Sequence, residues 1–239
     1  MRSYLRIGAL AFAAALLAVP ALAADLPTKA PSTLSLGNPY PTKGCGFYYG
    51  INAEAGAGVV PDAPAGTTVV GGAVGGLVGM ACPSSPLNWF AEAIFDFQNL
   101  NAGNNGFSMS GPAHFEQRAG FQTPLLSFLG SLGINTGTPQ PIQPLLPPGV
   151  TISGTTQNYI YGAINEDDIS SQLGAATAHE WLVSPEIGTG LLIPLAAGTH
   201  TVIADTYAGV ELQSNSFCLG ALACPKLGTR FKTGVSFKY

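Results

Sequence analysis

The chain has 239 residues and a net charge of −4, and its 9 basic residues argue against nucleic acid as a partner, which calls for basic patches. Only 9% of the residues are charged, against about 25% in an ordinary soluble domain. With 46% hydrophobic residues there is too little charge to wet a soluble surface, and 31 Gly and 19 Pro speak against a helical bundle.

Arg2 and Arg6 precede an apolar run from Ile7 to Val19, Pro20 breaks it, and Ala21-Leu22-Ala23 offers an A-x-A cleavage site. Residues 1–23 therefore read as a secretory signal peptide, the run falling short of the ~20 apolar residues of a spanning helix. Cys45 lies too far downstream for a lipid anchor at that site. Its removal takes two cations and no acid, so the mature chain is more acidic still. No later apolar run reaches membrane-helix length. A chain that meets lipid without such helices must close a sheet on itself, because hydrocarbon leaves unpaired backbone groups unsatisfied.

Residues 24–43 are rich in Pro, Thr and Ser without periodicity and read as an extended periplasmic linker. The barrel domain is expected over 44–239. Phe47, Tyr49, Ile51, Ala53 and Ala55 alternate with Tyr48, Gly50, Asn52 and Glu54, the period of a strand with two unlike faces. Val69 to Ala81 predicts a second strand, with Gly71, Gly75 and Gly79 opposite Val70, Val74, Val78 and Met80. Trp89 to Gln98 predicts a third, with Glu92 and Asp96 on its polar side. A fourth is expected from Ala113 to Gln122, with His114, Glu116, Arg118 and Gln122 on one face.

The Pro-rich stretch inside an insertion of about 123–155 is too long for a turn, and Thr123-Pro124 suggests a short helix to about Leu132. Pattern alone does not put this insertion on either side of the membrane. Val183 to Leu195 and Thr201 to Gln213 predict two more strands, joined by Ala196-Ala197-Gly198. Thr229 to Tyr239 predicts a last one. Bacterial barrels of this kind have even strand numbers. An eighth strand is therefore expected over 155–167, around Tyr159, Tyr161 and Ile164. The expected fold is an all-β, antiparallel transmembrane barrel of eight strands. Its apolar face should meet lipid and its polar face a narrow lumen.

Three segments, GFYYGINAEAG, WFAEAIFDF and the terminal GVSFKY, resemble the small eight-stranded outer-membrane barrels of the opacity-protein/porin-like family. The start Ala24-Asp25-Leu26-Pro27, with Lys29 and Pro31, resembles mature N-termini of such proteins from α-proteobacteria. The resemblance leaves out 123–170. It implies a cell outer-membrane location, contact with outer-membrane lipid and lipopolysaccharide, and a structural or surface role with at most weak passive permeability. It also implies that Phe231, Val235, Phe237 and Tyr239 form a signal for the barrel-assembly machinery. No cofactor is implied, and the oligomeric state stays open. A wider diffusion porin, a lipid-modifying enzyme and a soluble secreted β-sandwich binder are the competing readings.

On this reading Glu54, Glu92, Asp96, Glu116, Glu186, Asp205 and Glu211 project into the lumen with Arg118, Arg230 and Lys232 as partners. The bland account, a filled interior that holds the barrel shut, outweighs a gated channel, since eight strands enclose little more than their own side chains. An acid excess would give any pore a cation preference. Four cysteines in an exported chain suggest two disulfides, Cys45 with Cys82 at the periplasmic rim and Cys218 with Cys224 in an outward loop. No histidine is spaced for a structural zinc site beside them. Among His114, His179 and His200, only His179-Glu180 with Ser184 suggests a catalytic group, and no hydrolase motif accompanies it. Glu166-Asp167-Asp168 reads as three loop acids, solvated or holding a divalent cation.

Overall fold

The computed structural model describes residues 45–124 apart from 62, 64, 83–87 and 106, together with 150–152, 156–173, 176–197, 200–216 and 227–239. Within them alternation becomes ten strands: β1 (Gly46–Val59), β2 (Thr68–Cys82), β3 (Asn88–Asn104), β4 (Phe107–Pro124), β5 (Val150–Ile152), β6 (Gln157–Leu173), β7 (Ala176–Ala197), β8 (His200–Glu211), β9 (Asn215–Ser216) and β10 (Arg230–Lys238). Among the described residues there is no helix long and apolar enough to cross a membrane.

Eight of these strands close a ring of antiparallel pairs, running β1, β2, β3, β4, β6, β7, β8, β10 and back to β1. The closing pair runs from Gly50 opposite Lys238 to Gly58 opposite Arg230. Tyr239 N–H donates to Tyr49 O at 2.8 Å beyond the ladder, and the two rings stack at 5.9 Å. Closure leaves no free edge, which is what a strand-built wall needs in hydrocarbon. The two short strands are additions: β5 pairs Leu195–Ala197 of β7, and β9 pairs its Leu182 and Val183.

The faces are inverted relative to a soluble barrel. Phe47, Phe97, Ile187 and Phe231 are 65–72% exposed on the outer wall, whereas Asp96, His114, Glu116, Asp167, Asp205 and Glu211 are fully buried within. Aromatic residues gather along one end of the outer wall, on β1, β3, β4 and the β10 end: Phe47, Tyr49, Trp89, Phe121, Phe237 and Tyr239. Such a girdle marks a membrane interface, because amphipathic rings suit the headgroup level.

The end assignments follow from the ladder. Cys45, Cys82, Asn88, Pro124, Val150, Ala197, His200 and Tyr239 lie at one end. The end of β4 and the start of β5 thus lie at the same end of the barrel as Cys45 and Tyr239, and the 125–149 insertion lies outside the described residues. Thr123 and Pro124, expected to cap a helix, instead continue β4 opposite Asn158 and Gln157. The rest of that expected helix, 125–132, lies outside the described residues. Cys45 and Cys82 form a disulfide between the ends of the adjacent β1 and β2. The Cys218–Cys224 pairing lies outside the described residues.

Four strands outrun their expected limits by six or seven residues, β3 running on to Asn104 past Gln98 and β7 starting at Ala176 rather than Val183. β6 continues six residues past 167, so Glu166-Asp167-Asp168 is strand, not loop. β4 begins at Phe107 rather than Ala113, running through Gly111 and Pro112. A proline cannot donate to a ladder, so β4 absorbs Pro112 as an irregularity where the pairing with β3 and β6 shifts register. Phe107, Met109 and Gly111 face inward above it, and His114, Glu116 and Arg118 below it.

Candidate functional site: the charged lumen

Period-two alternation delivers one inward side chain from every second residue of each strand, and four tyrosines set the lower storey. Tyr48, Tyr159, Tyr161 and Tyr207 lie across from Gly79, Gly190, Gly188 and Gly234 on the neighbouring strands. A Cβ on any of these glycines would come within 2.6 Å of the facing ring. The glycines make room, and the rings carry hydroxyls to acids: Tyr48 to Glu92 at 2.8 Å, Tyr159 to Asp205 at 2.8 Å and Tyr161 to Glu186 at 2.6 Å. Lys238 enters between them, bonded to Glu92 and lying 3.0 Å from Asp205, to which Ser236 also donates.

Above this layer the Arg118 guanidinium is held between the Tyr161 and Tyr207 rings, 4.3 and 4.2 Å from their centroids. Its Nε donates to Glu116 at 2.6 Å. Cation–π contacts of this desolvated kind contribute ~2 kcal/mol. They also fix the plane of the arginine inside the bore, between rings carried by β6 and β8.

The middle layer centres on the Lys232 ammonium. It lies 3.1 Å from Glu116, 3.1 Å from Glu186 and 3.4 Å from Glu54, donates to Asn165 at 3.0 Å, and approaches His114 Nε2 at 3.3 Å. His114 Nδ1 meets Asp167 at 3.0 Å, and its Nε2 faces Glu116 and Glu54 at 3.7 and 3.8 Å beside the ammonium. Arg230 then bridges Asp167 and Glu211, at 3.0 and 2.6 Å. Gln98 also donates to Asp167, at 2.9 Å. On the far wall Asn52 donates to Asp96 at 2.7 Å and accepts from Tyr207 at 2.9 Å.

The ten residues expected in the lumen, Glu54, Glu92, Asp96, Glu116, Arg118, Glu186, Asp205, Glu211, Arg230 and Lys232, all sit inside the barrel wall. Alternation did not bring out all their partners. Lys238 and Ser236, which alternation puts on the same polar face as Arg230 and Lys232, are buried in the lumen as well. Reading 166–168 as loop hides Asp167, Asn165 carries no charge to mark it, and His114 reads as an isolated histidine.

Glu54, His114 and Glu116 offer ligand atoms within 4.8 Å of one another, a spacing that suits a metal ion. The Lys232 ammonium already stands among all three, so the cation of this cluster is part of the chain. The other candidate chemistry dissolves on inspection. His179 is an exposed outer-wall residue whose Nε2 meets Asp168 at 2.8 Å, whereas Ser184 is fully buried on the inner face. They share a strand but not a side, so no His–Ser group assembles there. His200 begins β8 at the opposite end of the barrel.

Above the charged layers the lumen changes character. Val60, Val69, Leu100, Phe107, Met109, Ile169, Leu182 and Leu227 form one buried apolar cluster at the end away from the termini. The interior is thus a charged column under an apolar stopper.

The chain matches no protein-family model and no curated protein sequence. Among solved structures it is similar to Neisserial surface protein A, with a TM-score of 0.42 and 10% identity over 82% of this chain and 98% of that one. It is also similar to Ail, the attachment invasion locus protein of Yersinia pestis (TM-score 0.38, 8% identity, 82% and 99% covered). A TodX monoaromatic hydrocarbon channel variant follows at a TM-score of 0.18 and 9% identity, with 83% and 90% covered. At these values the likenesses carry no argument about activity, and the reading below rests on the wall and the lumen.

Proposed function

We propose that this protein is a non-conducting outer-membrane barrel with a structural and surface role, held in the bilayer by its apolar wall and displaying its hairpins outward. One observation carries the reading. Lys232 meets groups from β1, β4, β6 and β7 in a single layer, so a side chain and its partners occupy the cross-section that a solute would need. An open pore would require these charges to line a wall with water between them. Here they bond to one another across the bore, and the apolar stopper above adds a second closure. The same packing favours this reading over a diffusion porin. Among the described residues no His–Ser group converges on either face, which favours it over a lipid-modifying enzyme.

The test is planar-bilayer recording on purified, refolded protein, paired with gel mobility before and after boiling. A heat-modifiable barrel that partitions with outer membranes and shows no channel steps supports the proposal. Regular ohmic steps from the folded band would replace it with the porin. Recovery in the soluble periplasmic fraction would remove the membrane reading altogether.

A further inference from the structure

The charged layers of the lumen hold more acid than the chain's own bases can answer. Among the described residues, eight inward carboxylates there face four lysine and arginine side chains, Arg118, Arg230, Lys232 and Lys238. Seven of the eight have a lysine or arginine nitrogen within 3.4 Å. Asp96 is the exception, and it is fully buried. Its Oδ2 accepts from Asn52 at 2.7 Å, while its Oδ1 has no partner. His114, its cross-strand neighbour, turns instead to Glu54, Glu116 and Asp167. An unpaired carboxylate away from water is costly, so such a group takes up a proton or holds a cation.

The wall around Asp96 accounts for the shortfall. β1, β2 and β3 carry no lysine or arginine, so this side of the lumen supplies acids without bases. Between Asp96 on β3 and Glu54 on β1 runs β2, whose inward residues at this level are Gly71, Ala73 and Gly75. Asp96 stands opposite Gly75, and Glu54 opposite Ala73. Asp96 Oδ1 lies so close over Gly75 that a Cβ on that glycine would collide with it. The unpartnered oxygen therefore sits over a strip of wall almost without side chains, on the side of the strand that carries Glu54. Glu54 meets Tyr207 at 3.1 Å and Lys232 at 3.4 Å through Oε2. That leaves its Oε1 facing His114 at 3.8 Å, beyond hydrogen-bond reach.

We propose that Asp96 and Glu54 hold a hydrated divalent cation of the hard, oxygen-seeking class over this strip of β2. Mg²⁺ suits the ligand set, because it binds through one or two carboxylates and keeps several of its waters. Its charge offsets part of the acid excess. Lys232 reaches Glu54 from the other oxygen, so the ammonium and the ion occupy different sides of that carboxylate. The site goes beyond the structural role proposed above and draws on it for one point: a closed bore would trap an ion taken up as the barrel closes.

The test is to refold the purified protein with Mg²⁺ as the only divalent ion, remove free metal by gel filtration and measure bound metal in the heat-modifiable fraction. The wild type should retain stoichiometric Mg²⁺, and its urea midpoint should rise with the Mg²⁺ present at refolding, since the ion binds only the folded state. Asp96→Asn, and independently Glu54→Gln, should retain about tenfold less, because so small a ligand set does not survive the loss of a carboxylate. Asp168→Asn, on the outer wall, should retain as much as the wild type. A folded wild type without bound metal overturns the proposal, and so does wild-type retention by either folded lumen variant. Bound Mg²⁺ that a chelator strips rapidly from the folded barrel would uphold the site and count against the closed bore.

Discussion

Lys232 on β10 and Glu116 on β4 stand on diametrically opposite strands of the eight-membered ring, and their charged ends are 3.1 Å apart. The bore is therefore bridged by an ion pair that belongs to no single hairpin. Removing one member leaves buried charge behind, and breaking such a pair costs about 3–5 kcal/mol. Lys232→Met should lower the urea stability of the refolded barrel by about that much. Lys232→Met combined with Glu116→Gln should recover part of the loss. An effect below ~1 kcal/mol for the single variant would mean that the lysine is hydrated rather than clamped.

The two closures predict an asymmetric response in conductance. Leu100→Ala with Phe107→Ala thins the stopper but leaves the Lys232 layer, so planar-bilayer recordings should stay silent. Steps should emerge only when that layer is removed as well. Channel steps from the stopper variant alone would place the seal in the upper cluster.

Glycine opposite tyrosine is a spatial requirement that can be tested pair by pair. A methyl at Gly79 would stand 2.5 Å from the Tyr48 ring. Gly79→Ala should therefore cost about 1–3 kcal/mol through forced repacking. The same change in a Tyr48→Ala background should be nearly neutral, a coupling that a double-mutant cycle in urea measures directly. Additive costs would show that the glycine is needed for its backbone instead.

The Cys45–Cys82 bond joins positions 37 apart in sequence, across two strands that are already paired. Chain-entropy arguments give such a loop about 4 kcal/mol of stabilisation through the unfolded state. Replacing both cysteines by serine should leave the folded mobility on gels unchanged and shift the urea midpoint downward. Loss of the folded band in unstressed cells would point to a role in assembly.

Tyr239 extends the β1–β10 seam by a mutual backbone contact with Tyr49 and stacks on its ring. Deleting it should reduce the amount of barrel in the outer membrane several-fold while purified, refolded protein keeps its heat-modifiability. Equal losses in cells and in refolding would make the residue structural and remove its proposed part in recognition by the assembly machinery.

Much of the wall was legible because period two shows wherever one face is apolar and the other polar, as from Phe47 to Ala55 and from Trp89 to Gln98. It faded where that contrast faded. In the upper half of β4 the inward residues are Phe107 and Met109 and the outward ones Ser108 and Ser110, so the polarity reverses above Pro112. In β6 the acids fall on both faces, Asp167 inward to Arg230 and Asp168 outward to His179, which read as an uninterrupted acidic loop. The lumen membership of Glu116 or Lys232 followed from parity alone. Their meeting across the full diameter did not, since pairing between non-adjacent strands leaves no spacing to read.

The irregularity at Gly111-Pro112 acts as a frame marker for the fourth strand. It is the point at which the residues allotted to the interior pass from odd to even numbers. A deletion of one residue there would not merely shorten a hairpin. With the upper half held by its apolar neighbours, it would turn His114, Glu116 and Arg118 outward into lipid and bring Phe115 and Gln117 into the bore. A single codon thus sets whether the barrel's central ion pairs exist, and no substitution elsewhere on the strand could restore them.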